Sequence, residues 1–167
     1  SSDVNEDAGT VTYTVSLSNP STQSVSVDYA TANDSAIYGE DYDAISGTLI
    51  FAAGEISKTL TVAITDDNID EAAQDYSVTL SNPTYAAVSG TEGSVTTTII
   101  DNDAAPVASI TNASIEEGGD LVFDVTLDRT SNAATTLSFK LSDGSAIAAE
   151  GDYPNTAEVS TDGGVSW

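Results

Sequence analysis

Apolar and polar residues alternate through most of this chain with a period of two. Val11, Tyr13, Val15 and Leu17 are interleaved with Thr12, Thr14, Ser16 and Ser18, the pattern of a strand with one buried face. Asn19-Pro20-Ser21 ends that run. Further strands are predicted around Val25-Val27-Tyr29, Leu49-Phe51, Leu60-Val62-Ile64, Tyr76-Val78-Leu80 and Val95-Thr97-Ile99. Asn82-Pro83 reads as the stop after Leu80. No stretch sustains the 3.6-residue period of a helix. Short strands rich in Thr, Val and Ser, separated by turn residues, predict an all-β antiparallel sandwich. Tyr13, Tyr29, Tyr42, Phe51 and Tyr76 are read as core or turn packing rather than as a sugar-stacking platform.

The pattern then begins again. Glu116-Glu117-Gly118-Gly119-Asp120-Leu121-Val122-Phe123-Asp124-Val125-Thr126-Leu127 echoes the stretch from Glu6 to Leu17. Leu137–Leu141 echoes the second strand, and Glu150-Gly151-Asp152-Tyr153 echoes Gly39-Glu40-Asp41-Tyr42. The repeat is about 110 residues long, the size of a sandwich domain. The expected organisation is one near-complete repeat over 1–103 and an incomplete second over 104–167, joined at Asp103-Ala104-Ala105-Pro106. Almost nothing precedes Glu6, so the front of the first repeat is expected to be cut short. Val107–Ile110 is expected to open the second repeat. Its missing back half would leave sheet edges and half a core open, to be completed by further sequence, by edge-strand pairing with another molecule or by swapping. No signal peptide opens the chain, which is expected to be a piece of something longer.

Charge narrows the function. The 27 Asp and Glu face only Lys58, Arg129 and Lys140, for a formal net charge of -24. Such a surface repels nucleic acid and anionic lipid and attracts cations. No apolar run approaches the ~20 residues of a membrane-spanning helix, so neither nucleic-acid binding nor membrane insertion is expected. The chain has no Cys and no His. Disulfides, and the thiolate and imidazole ligands that zinc, copper and iron favour, are therefore excluded. Oxygen ligands remain, and these suit calcium. Catalysis would have to rest on paired carboxylates alone. Nothing in the sequence marks a substrate cleft, so no enzyme is expected.

The carboxylates are concentrated. Asp66-Asp67-Asn68-Ile69-Asp70-Glu71 lies between two predicted strands, and Asp101-Asn102-Asp103 follows the last. Like charges this close oppose one another unless each is solvated or a cation lies among them. Loops at alternate strand ends of a sandwich gather at one pole, where carboxylates from several loops can share ions that take 6–8 oxygens. The competing reading is a set of solvated turns, in which Asp and Asn are common.

Five motifs in order carry a family resemblance. They are Val4-Asn5-Glu6-Asp7-Ala8-Gly9-Thr10, Gly39-Glu40-Asp41-Tyr42, the stretch Gly47–Glu55, Asp66–Glu71, and Ile99-Ile100-Asp101-Asn102-Asp103. Together they resemble the Calx-β domain over 1–103, and more weakly over 107–167. The resemblance implies an immunoglobulin-like sandwich with calcium at one pole. Carried over motif by motif, the implied ligands are Glu6, Asp41, Asp66, Asp67, Glu71, Asp101 and Asp103. Asn102 and Gln74 stand where calcium-sensing members have carboxylates, which implies fewer or weaker ions. The chain is also similar to tandem repeats of large bacterial adhesins. That similarity implies an extracellular, secreted or cell-surface protein in which calcium-bound repeats, packed against neighbouring repeats, extend and stiffen a stalk. The alternative is a sandwich module that binds a sugar or protein without requiring calcium.

Overall fold

The computed structural model describes residues 2–113, 121–142 and 146. They fall into two compact units, Ser1–Ala134 and Thr135–Trp167. In the first unit, seven strands build the repeat that the alternation predicts. They are β1 (Ser2–Asn5), β2 (Thr10–Ser16), β3 (Val25–Asn33), β4 (Ser46–Phe51), β5 (Ser57–Ala63), β6 (Gln74–Thr84) and β7 (Ser94–Ile100). Two further short strands follow, β8 (Ala108–Ile110) and β9 (Val125–Leu127).

One sheet runs in the order β1-β7-β6-β3-β4, and β2 pairs with β5 in a second. Among the described strands every ladder is antiparallel except β1 on β7, which is parallel. The alternating side chains bury one face of each sheet against the other. Tyr42, Leu60, Val62, Ile64, Tyr76, Val78 and Ile99 form the main core with Ala36. Val25, Val27 and Phe51 form a second cluster. Each fully buried residue of this size contributes about 1.5–3 kcal/mol through water exclusion. Tyr42 and Tyr76 stack with ring centroids 4.5 Å apart, and Tyr13 and Tyr29 pack partly buried beside them. The aromatic residues therefore serve the core, as their strand positions predict.

Four stretches depart from the sequence pattern. A strand does precede Glu6. Ser2–Asn5 is too short to show alternation, but it finds an edge of β7 and seats Val4 against the core. β6 continues through Asn82-Pro83 to Thr84. Its ladder with β7 has ended by Thr79, so the N–H that Pro83 lacks is not needed on that side. A bulge in the β3 pairing coincides with Asn82 at φ 48°. Finally, no strand forms over Leu137–Leu141, and β9 covers only the end of its predicted run. Among the described residues neither stretch has the neighbouring strands that its counterpart in the first repeat pairs with, and an unpaired strand leaves its backbone groups without partners.

The parallel β1–β7 pair brings the C-terminal ends of β1 and β7 to the same pole. The antiparallel ladders bring the end of β5 and the start of β6 to that pole as well. This topology gathers the acidic loops.

Candidate metal centre

Glu6 lies in a 3-10 turn, Glu6–Ala8, directly after β1. Gly9 then takes φ +70°, a conformation that L side chains rarely adopt, and turns the chain into β2. The Gly9 carbonyl accepts the N–H of Ile64 at 3.0 Å, tying this corner to the end of β5. The Glu6 side chain points inward and is buried, 6% exposed. Its Oε1 accepts the backbone N–H of Asp67 at 3.0 Å.

Carboxylate oxygens of Glu6, Asp67 and Asp103 lie within 4.8 Å of one another. They come from three separate segments, after β1, β5 and β7. No Lys or Arg pairs with any of them among the described residues. Burial raises the Glu6 pKa to about 7. The Asp67 N–H opposes the rise, and the charges of Asp67, Asp101 and Asp103 add to it. Asp103 is likewise raised, by desolvation and then by Asp101, Asp66 and Asp67. Asp103 Oδ2 is buried and has no hydrogen-bond partner among the described residues. A buried acceptor without a donor costs about 1–3 kcal/mol, and more when charged. A cation is the partner that such an oxygen lacks, and a trio of carboxylates fits a hard, oxygen-seeking ion.

A small adjoining cavity is lined by Glu6, Asp41, Glu71 and Asp101, together with Thr65 and Gln74. Here the carboxylates already have partners. Asp41 Oδ2 accepts the N–H of Ile37 at 2.6 Å. Asp101 Oδ2 accepts the N–H of Glu71 at 3.1 Å, and its Oδ1 accepts that of Asp103 at 3.1 Å. Burial raises the Glu71 pKa, a bond from Asn132 opposes this, and Asp41, Asp67 and Asp101 add to it. Asp66 sits at the exposed rim, within 3.4 Å of the Asn102 amide. Of the seven residues expected from sequence, three converge on one point, three line the adjoining cavity with Glu6, and Asp66 lies outside both.

Sequence reasoning did not single out Ser131 and Asn132. Asn132 Nδ2 donates to Glu71 Oε1 at 2.6 Å, and Ser131 Oγ donates to Asp70 Oδ2 at 2.9 Å. Gln74, noted only as a missing carboxylate, donates to Glu71 Oε2 at 3.2 Å. A Ser-Asn turn 61 residues away carries no local signal for this contact. Glu116, Glu117 and Asp152, the acids in the echoed motifs of the second repeat, lie outside the described residues, as does Trp167.

The family profile described as the Calx-beta domain matches residues 1–103 and again 101–160. The chain belongs to the Calx-beta domain family. Among curated relatives it is 30% identical over 175 residues to sodium/calcium exchanger 1 of Rattus norvegicus, covering 90% of this chain and 18% of the relative. It is also 30% identical over 153 residues to human sodium/calcium exchanger 3, covering 78% of this chain and 16% of the relative. The chain thus spans under a fifth of the length of these relatives. Among solved structures, the apo form of the Calx CBD1 domain superimposes with a TM-score of 0.58 at 24% identity, over 61% of this chain and 90% of that one. The calcium binding domain CBD12 of CALX1.1 gives 0.59 at 24% identity, over 67% and 46% respectively. At these identities the structural likeness speaks to the sandwich fold.

Proposed function

We propose that the acidic pole of this chain binds calcium, with Glu6, Asp67 and Asp103 as the central donors and Asp41, Glu71, Asp101 and Asp66 around them. The buried, unpartnered Oδ2 of Asp103 carries this reading. Family membership and the absence of Cys and His support it. The three central donors come from the ends of three strands, so the bound ion would tie β1, β5 and β7 together. An ion that binds only the folded state stabilises it by RT ln(1 + [Ca]/Kd). No catalytic role is proposed. The repeat boundaries are taken as 1–103 and 104–167, in keeping with the two family matches.

In the longer protein, the stalk reading is that calcium-loaded repeats stiffen one another in an extracellular or cell-surface adhesin. The acidity and the tandem matches support it. A second reading, favoured by the sodium/calcium exchanger relatives, is a calcium-sensing domain within a larger ion-transport protein. Isothermal titration with calcium separates them. A Kd near 10⁻⁴–10⁻³ M fits an extracellular module, and 10⁻⁷–10⁻⁵ M fits a sensor. No heat of binding, with Tm unchanged between EGTA and millimolar calcium, overturns the calcium reading and leaves a ligand-binding sandwich that does not require calcium.

A further inference from the structure

Glu71 is held by two amides, one on each carboxylate oxygen. Gln74 Nε2 donates to its Oε2 at 3.2 Å, and Asn132 Nδ2 donates to its Oε1 at 2.6 Å. Gln74 opens β6, whereas Asn132 reaches across from the turn after β9. That turn is itself seated on the acidic loop. Asn132 N donates to Asp70 O at 3.0 Å, and Ser131 Oγ donates to Asp70 Oδ2 at 2.9 Å. An amide presents positive hydrogens to the oxygen it bonds, which opposes a cation at that same oxygen. An ion on Glu71 would have to displace these donors and part the turn from the loop.

The other acids that only line the small cavity are similarly engaged. Asp101 accepts an N–H on each oxygen, and Asp41 accepts one on Oδ2. Among Asp41, Glu71 and Asp101, only Asp41 Oδ1 takes no hydrogen bond within the described residues. The cavity itself is about 10 Å³, at the lower limit for a single water. Solvent could therefore add little to these walls in completing the 6–8 oxygens that calcium takes. The central trio differs. Glu6 accepts one N–H, from Asp67, and Asp67 accepts one, from Ile69. The second oxygen of each takes no hydrogen bond among the described residues, and neither oxygen of Asp103 does.

We infer that the acidic pole holds a single ion, at Glu6, Asp67 and Asp103, and that Gln74 and Asn132 set this count by keeping Glu71 as a strut. Glu71 then ties the acidic loop to the turn after β9, and with Asp41 and Asp101 it attracts the ion without ligating it. The inference rests on the calcium reading above and narrows its ligand set to the three central acids.

The test is isothermal titration of the full 167-residue chain with calcium, read for the number of ions bound. The count at the pole is the parent's less that of a chain carrying both Asp67→Asn and Asp103→Asn, so ions held elsewhere cancel. The difference is expected to be one. Glu71→Gln removes a nearby charge and weakens binding, but should leave the count at one. Gln74→Glu combined with Asn132→Ala strips both amides from Glu71 and adds a carboxylate beside it. That chain, shown to be folded by its melt in EGTA, should take one ion more than the parent. A parent difference of two or more overturns the inference and leaves the calcium reading standing. So does a count that falls with Glu71→Gln, or one that stays unchanged in the folded Gln74→Glu, Asn132→Ala chain. A parent difference of zero overturns the calcium reading and this inference with it.

Discussion

The backbone N–H of Asp67 donates to Glu6 Oε1 across 61 positions of sequence, at 3.0 Å. This bond joins the turn after β1 to the loop after β5 and holds a buried carboxylate next to two others. It supplies part of the solvation that burial removes from Glu6, but it neutralises no charge. The metal-free pole therefore keeps a standing repulsion, and its consequences can be measured.

Calcium should raise the melting temperature. At 100 times its Kd the ion adds about 2.7 kcal/mol, which for a domain of this size corresponds to roughly 10 °C or more. Asp67→Asn and Asp103→Asn should each remove most of that shift in differential scanning calorimetry. Magnesium, which demands tighter octahedral geometry and sheds its water reluctantly, should shift the melt much less.

The pH dependence of the metal-free protein has a definite sign. The Glu6 pKa is raised from 4.5 to about 7 on folding, so the folded state binds this proton more tightly. The associated stability is fully present below pH 4.5 and is lost as pH rises through about 7. The loss amounts to at most about 3 kcal/mol. In EGTA, Tm should fall between pH 5 and pH 8. In saturating calcium the ion replaces the proton, so the calcium-induced shift should grow over the same range. A flat EGTA profile would mean that Glu6 is solvated.

Glu6→Gln separates charge from shape. The amide oxygen can still accept the Asp67 N–H, but the buried charge is gone. Without calcium the variant should melt higher than the parent at pH 8 and show a flatter pH profile. With calcium it should gain less. A lower Tm in both conditions would mean that the carboxylate itself holds the turn.

The hydroxyl chain in the core should be worth little beside the ring that carries it. Tyr13 Oη lies 2.6 Å from both Tyr76 Oη and Thr97 Oγ1, and Thr97 Oγ1 lies 2.9 Å from Ser2 Oγ. Tyr76→Phe leaves Tyr13 bonded to Thr97 and should cost about 1 kcal/mol in urea denaturation. Tyr76→Ala removes the ring stacked on Tyr42 and should cost about 3–5 kcal/mol. The calcium-induced shift of Tyr76→Phe should match that of the parent, because the chain touches no carboxylate.

The sequence by itself determined the sandwich, most of its strands and the chemistry available at its acidic loops. Alternation is a local property: Val11 to Leu17 can bury one face only as a strand, and a chain without Cys or His can offer a metal only oxygen. Clustering in loops that break the alternation marked Asp66, Asp67, Glu71, Asp101 and Asp103, and the Calx-β resemblance added Glu6 and Asp41. Tertiary structure decided which of them meet. Glu6, Asp67 and Asp103 converge because β1 runs parallel to β7, a pairing that four short residues with no clear alternation do not announce. The fold likewise left Asp66 at the rim, set Asn132 against Glu71 and carried β6 through Asn82-Pro83. Each of these outcomes depends on strand neighbours far apart in sequence, and no local pattern encodes a neighbour.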